Sequence, residues 1–202
     1  MARRVIIVAV VVLFTTAHLS CGPPIYFAEP IHGVVLDAAN DQPLPGTVVV
    51  AEWVLFQPMI GHGAHGARLY LAEAVANDQG AYHIDGWGPK LRPVYGFLTD
   101  YAPRMTFFKA GYEPLVVHNA KGSNAMTRVS DWDGRRISLG SYHGDQRTRA
   151  DQLGAIVSRV LEPDTVDSLS SLIAELEKEK PVLGTIADGS VFGPIDSLKK
   201  ER

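Results

Sequence analysis

Thiol chemistry is almost absent from this 202-residue chain, whose single cysteine is Cys21. A lone thiol can form no disulfide within its own chain, even in an oxidising compartment. Long hydrophobic runs are missing too. The longest, Val5 to Phe14, has ten residues, against the roughly 20 that an ordinary membrane-spanning helix needs. Neither charge dominates, with 19 Lys and Arg against 22 Asp and Glu, so there is no basic surplus of the kind that holds nucleic acid. The chain also has no G-x-S-x-G, no P-loop, no HExxH and no glycine-rich dinucleotide turn, which removes the local signatures of several enzyme classes.

Arg3 and Arg4 followed by the apolar run Val5 to Phe14 have the layout of a secretory signal over residues 1–20. The run closes on Thr-Ala-His-Leu-Ser-Cys-Gly. Ser20 before Cys21 resembles the lipobox of bacterial lipoproteins, in which the cysteine is acylated and becomes the mature N-terminus, although His18 and Leu19 depart from the usual residues. Cys21 is therefore the expected lipid-attachment site, and a membrane the expected partner. Plain secretion after Ala17 and an uncleaved anchor are the alternatives. Without residues 1–20 the formal charge moves from −3 to −5. Residues 21–30, with Pro23, Pro24 and Pro30, read as a short stiff tether.

Between residues 31 and 140 the apolar residues fall in short β-branched and aromatic runs separated by Gly, Pro, Asn and Asp, a pattern that predicts a mainly β sandwich. Expected strands are 31–37, 47–55, 69–76, 81–84, 94–98, 105–109, 114–118 and 136–139. Asn77-Asp78-Gln79-Gly80 is the sharpest turn, with Gly80 supplying a positive φ. Tyr82 and Ile84 should then face one way and His83 and Asp85 the other. The period changes in the tail. Leu153, Ile156, Val157, Val160 and Leu161 form one helical stripe, and Val166, Leu169, Ile173 and Leu176 form another, with Asp164 as its expected N-cap and Pro181 beyond its end. Residues 141–180 thus read as a short C-terminal helical appendage, and 181–202 as an irregular, solvated tail.

Gly33, Asp37, Pro43, Leu44, Pro45, Gly46, Val48 and Val50 come first, then Asp78, Gly80, Tyr82 and Ile84, and last Gly111 and Tyr112. In that order they resemble the carboxypeptidase regulatory-like domains, also described as transthyretin-like or prealbumin-like. The resemblance covers roughly residues 31–140. It implies a Greek-key β-sandwich of seven or slightly more strands, used for folding support, adhesion or ligand binding, and it transfers no catalytic residue. Hydroxyisourate hydrolases share that architecture, but their closing Tyr-Arg-Gly-Ser motif is absent here.

Two groups of residues stand out as candidate sites. His62 and His65 lie in a glycine-rich loop, and neutral imidazoles on a flexible backbone suit Zn or Cu, with Glu73, His83, Asp85 or His143 as a possible third ligand. The bland alternative is an exposed polar loop. Trp87 and Trp132, each beside aspartates, are candidate ligand-binding rings for a glycan or a protein, against the alternative that they shield the ends of the core. Together these readings predict a non-catalytic, membrane-tethered binding or structural module of the bacterial cell envelope, facing the periplasm or exterior. A metal-binding envelope protein and an uncharacterised hydrolase on the same sandwich are the two alternatives.

Overall fold

The computed structural model describes residues 22–56, 67–94 and 96–200. The protein is mainly β, with several sheets and a C-terminal helical region. Its centre is β3 (Val48–Phe56), which pairs antiparallel with β4 (Arg68–Val75) on one side and with β8 (Arg104–Phe108) on the other. β9 (Leu115–His118) extends the sheet beyond β8, and the short β7 (Phe97–Leu98) pairs with the end of β3. A second sheet has the order β11-β2-β5, from Arg135–Leu139, Ile31–Asp37 and Ala81–Ile84. A third has β10 (Thr127–Arg128), β1 (Ile25–Ala28) and β6 (Trp87–Leu91), with β1 in the middle.

β3 reads VVVAEWVLF, without the polar alternation of a half-exposed strand, because both of its faces are covered. Val49, Ala51, Trp53 and Leu55 join Val35, Tyr82, Ile84, Phe107 and Ile137 in a core between the sheets. Val48 and Val50, with Phe108, point the other way into a second core built with the C-terminal helices. Glu52 shares that second face and is fully buried. Its carboxylate accepts Arg104 Nε and Nη2 at 3.0 and 3.1 Å and pairs with Arg68 Nε at 3.2 Å. A charge at that depth persists because guanidiniums surround it.

Turn chemistry behaves as the sequence suggests. Asn77 Oδ1 accepts the amides of Gln79 and Ala81, both at 3.0 Å, and Gly80 has φ +70°. A Cβ on Gly80 would collide with the Val35 carbonyl oxygen. Two residues of the family-like pattern also meet: Tyr112 Oη donates to Asp37 Oδ2 at 2.9 Å.

Four expectations need correction. The expected tether is part of the fold over Ile25–Ala28, which form β1 and bury Tyr26 and Ala28. β6 and β10 were not legible, and the strand expected over 94–98 shrinks to Phe97–Leu98. The first helix, α1 (Gln146–Val160), starts seven residues before Leu153, the first residue of its apolar stripe, because Asp145 caps it, accepting Arg147 N and Thr148 N at 2.9 Å. The expected irregular tail is helical through Lys200: after α2 (Ser170–Glu177) come α3 (Lys180–Leu183), a 3₁₀ turn (Gly184–Ala187), a π turn (Asp188–Phe192) and α4 (Gly193–Lys200). Leu183, Ala187, Val191, Phe192 and Ile195 bury themselves against α1 and α2, so short segments with poor periodicity are held by packing rather than by propensity.

Candidate functional site

The outer face of the β11-β2-β5 sheet carries an open groove of about 720 Å³. Strand alternation puts Ile31, Val35, Tyr82 and Ile84 into the core and leaves His32, Val34, Ala81 and His83 outside. His32 and His83 are cross-strand partners, and their rings stack with centroids 4.4 Å apart, tilted by 37°. Each imidazole has a carboxylate of its own. His83 Nε2 lies 2.8 Å from Asp85 Oδ1, and His32 Nδ1 lies 3.3 Å from Asp133 Oδ1. The same Asp133 oxygen accepts the His32 backbone amide at 2.8 Å. That bond first of all, then the His32 ring, holds the Asp133 carboxyl below its ordinary range despite some desolvation.

Val34 and Ala81 form an apolar floor, and Arg135 and Arg136 project from the edge strand β11 along one side. Arg135 Nε donates to the Asp131 carbonyl at 3.2 Å. Arg136 is exposed, and its guanidinium has no hydrogen-bond or ion-pair partner among the described residues. The opposite side has Glu73, Val75 and Asn77. Under the floor, Tyr82 is buried and its hydroxyl has no partner among the described residues; burial first, and the Asp133 charge second, push its pKa up to about 12.

Trp132 sits beside an adjoining groove of about 660 Å³ that shares Arg135 and Arg136 with the first. Its ring is half-buried against the inter-sheet core, and its Nε1 donates to the His118 carbonyl at 3.0 Å. Trp87 is elsewhere. It is buried in β6, edge-on to Trp53 at 5.3 Å and beside Tyr70 at the same distance. The two rings expected as a ligand platform are therefore separated, and Trp87 is core.

Glu73, a possible third metal ligand, has another role: Oε2 accepts Ser171 N at 3.0 Å and Oε1 accepts Leu172 N at 2.6 Å, capping α2 from across the fold. Asp164 does not cap that helix. No group of three or more His, Cys, Asp or Glu able to hold a metal occurs among the described residues. His62, His65 and Cys21 lie outside the described residues. No helix among the described residues is long and apolar enough to cross a membrane.

The sequence-based reading placed His83 on one face with Asp85 and offered it as a third metal ligand beside His62 and His65, and it passed over His32 and Arg136. The available signal was that His32 and His83 each stand at an outward position of strands predicted correctly to the residue. What it lacked was the register that makes them neighbours.

Neither a protein-family model nor a curated protein sequence matches the chain. Among solved structures, it is similar to a chlorocatechol 1,2-dioxygenase from Pseudomonas putida at 13% identity and a TM-score of 0.31, over 59% of this chain and 61% of that one. A 3-chlorocatechol 1,2-dioxygenase from Rhodococcus opacus 1CP gives 11% identity and a TM-score of 0.32, over 61% of this chain and 62% of that one. An (S)-allantoin synthase gives 15% and 0.29, over 60% of this chain and 45% of that one. This chain thus spans less than two thirds of each, and likenesses this loose define neither a shared fold nor an activity.

Proposed function

We propose that this protein is a non-catalytic binding module of the cell envelope, tethered to a membrane through Cys21, and that it takes a carboxylate-bearing ligand with an apolar body in the His32–His83 groove. The observation that carries this reading is Arg136: an exposed guanidinium without a partner among the described residues, beside an apolar floor of Val34 and Ala81. Guanidinium and carboxylate match in planar geometry, and the floor would cover the ligand's hydrocarbon. Supporting a binding role over a nucleophilic hydrolytic one, the described residues lining the groove include no serine, threonine or cysteine.

Hexanoate is a suitable probe. Titrated into the purified protein and followed by the imidazole resonances of His32 and His83, it should bind with a dissociation constant on the order of millimolar, and Arg136→Ala should weaken binding about tenfold. Equal affinity for hexanol would show that the guanidinium is not the recognition element and would sink the reading. The tether has its own test. Mature protein beginning at Cys21 should carry acyl mass, and Cys21→Ser should leave the membrane fraction; a Cys21 N-terminus without acyl chains excludes lipidation.

A further inference from the structure

Gly22, next to Cys21 in the sequence, is held to one edge of the fold. Arg92 Nη1 donates to the Gly22 carbonyl at 3.0 Å, and Arg92 N donates to the Pro24 carbonyl at 2.8 Å. A Cβ built on Gly22 would lie 3.9 Å from Cβ of Phe97. Around this point the surface is apolar. Leu91, the β6 partner of Ile25, is 76% exposed and Val94 is 85% exposed. Phe56 is 43% exposed, and its ring stands 5.2 Å from that of Phe97, its partner across β3 and β7. Single exposed aliphatics are ordinary, but Leu91, Val94, Phe56 and Phe97 gather where the chain enters the domain.

We infer that this edge is a lipid-docking surface: Leu91, Val94 and Phe56 insert among the acyl chains of the bilayer to which the N-terminus is joined, with Arg92 at headgroup level. The inference rests on the membrane-tether reading. An acylated Cys21 joins hydrocarbon to the chain immediately before Gly22, whereas a retained Val5–Phe14 leader joins it through the seven residues from Thr15 to Cys21. The Arg92 bonds to Gly22 and Pro24 leave little free chain between anchor and patch, so the exposed aliphatics face the surface from which the anchor emerges. Apolar side chains beside a cationic group suit the boundary between headgroups and acyl chains. The domain then has a fixed orientation on the membrane.

Amide hydrogen exchange of the full chain, with and without vesicles of phosphatidylethanolamine containing phosphatidylglycerol, tests this. At lipid excess, exchange across residues 91–97 should slow about fivefold while the α1 amides are unchanged. Leu91→Asp/Val94→Asp should abolish the slowing without lowering the melting temperature, since both side chains are exposed. Unchanged exchange at lipid excess overturns the docking surface wherever the chain sediments. Slowing that grows with protein concentration without lipid overturns it in favour of a second copy of the chain. Acyl-free Cys21 with the slowing intact would instead remove only the lipidated tether and leave the docking surface standing.

Discussion

At the scale of single residues, buried polar groups carry the strongest consequences. Glu52 is fully buried with Arg68 and Arg104 on its carboxylate, and Arg159 is near enough that its guanidinium is held below its ordinary value, by burial first and by the Arg104 charge second, with Glu52 opposing. Glu52→Gln would leave this set of cations without its central anion and should cost about 3 kcal/mol of stability, read as a lower urea midpoint at unchanged slope. Tyr82 gives a pH-dependent outcome. Its folded pKa is raised to about 12 from the ordinary tyrosine value of about 10, so the contribution is fully present below pH 10 and is lost as pH rises from 10 through 12, where the unfolded chain binds fewer protons. Spectrophotometric titration should show a tyrosine that ionises at about pH 12 and is absent in Tyr82→Phe. That variant removes a hydroxyl without a partner, so its stability at pH 7 should change by less than about 1 kcal/mol.

Elements here are finished by other elements. α2 has no capping side chain of its own, and Glu73 from β4 accepts its first amides. Glu73→Ala should therefore cost about 1–2 kcal/mol, as the loss of an N-cap does, and should accelerate amide exchange at Ser171 and Leu172 ahead of the rest of α2. At the other end of the helical region, Glu175 Oε1 accepts Ala110 N at 3.0 Å and Glu179 Oε1 accepts Gly111 N at 2.8 Å, while Arg149 pairs with Glu179 and donates to the Tyr112 carbonyl at 2.7 Å. The turn after β8 is thus gripped by helices that lie some 65 residues further along the chain. The strands 31–37 and 81–84 were legible to the residue because one apolar face and a strong turn mark them; β6 (WGPKL) and β10 (two residues) were not, because glycine, proline and shortness hide strands that exist only through pairing with β1.

For the molecule as a whole, the C-terminal helical region is packed as a layer against the sheet. The β3–β8 sheet is covered on one face by the β11-β2-β5 sheet and on the other by α1, α2 and the tail. Phe192, 2% exposed in that second core, should cost about 3 kcal/mol or more when cut to Ala. Deleting residues 180–202 should remove Leu183, Val191, Phe192 and Ile195 together and leave a protein that binds a hydrophobic dye and melts without a cooperative transition.

The sequence by itself determined the β-rich character, the hairpin at Asn77–Gly80, the inward and outward faces of β5 and the apolar stripes of the helical region. All of these follow from periodicity and turn chemistry acting over a few residues. Only the tertiary structure decided that His32 stacks on His83, that Arg136 lines their groove, that Glu73 caps a helix and that the tail folds. Those facts depend on register and on contacts between distant segments, and no local pattern encodes which outward side chains become neighbours once a sheet has closed.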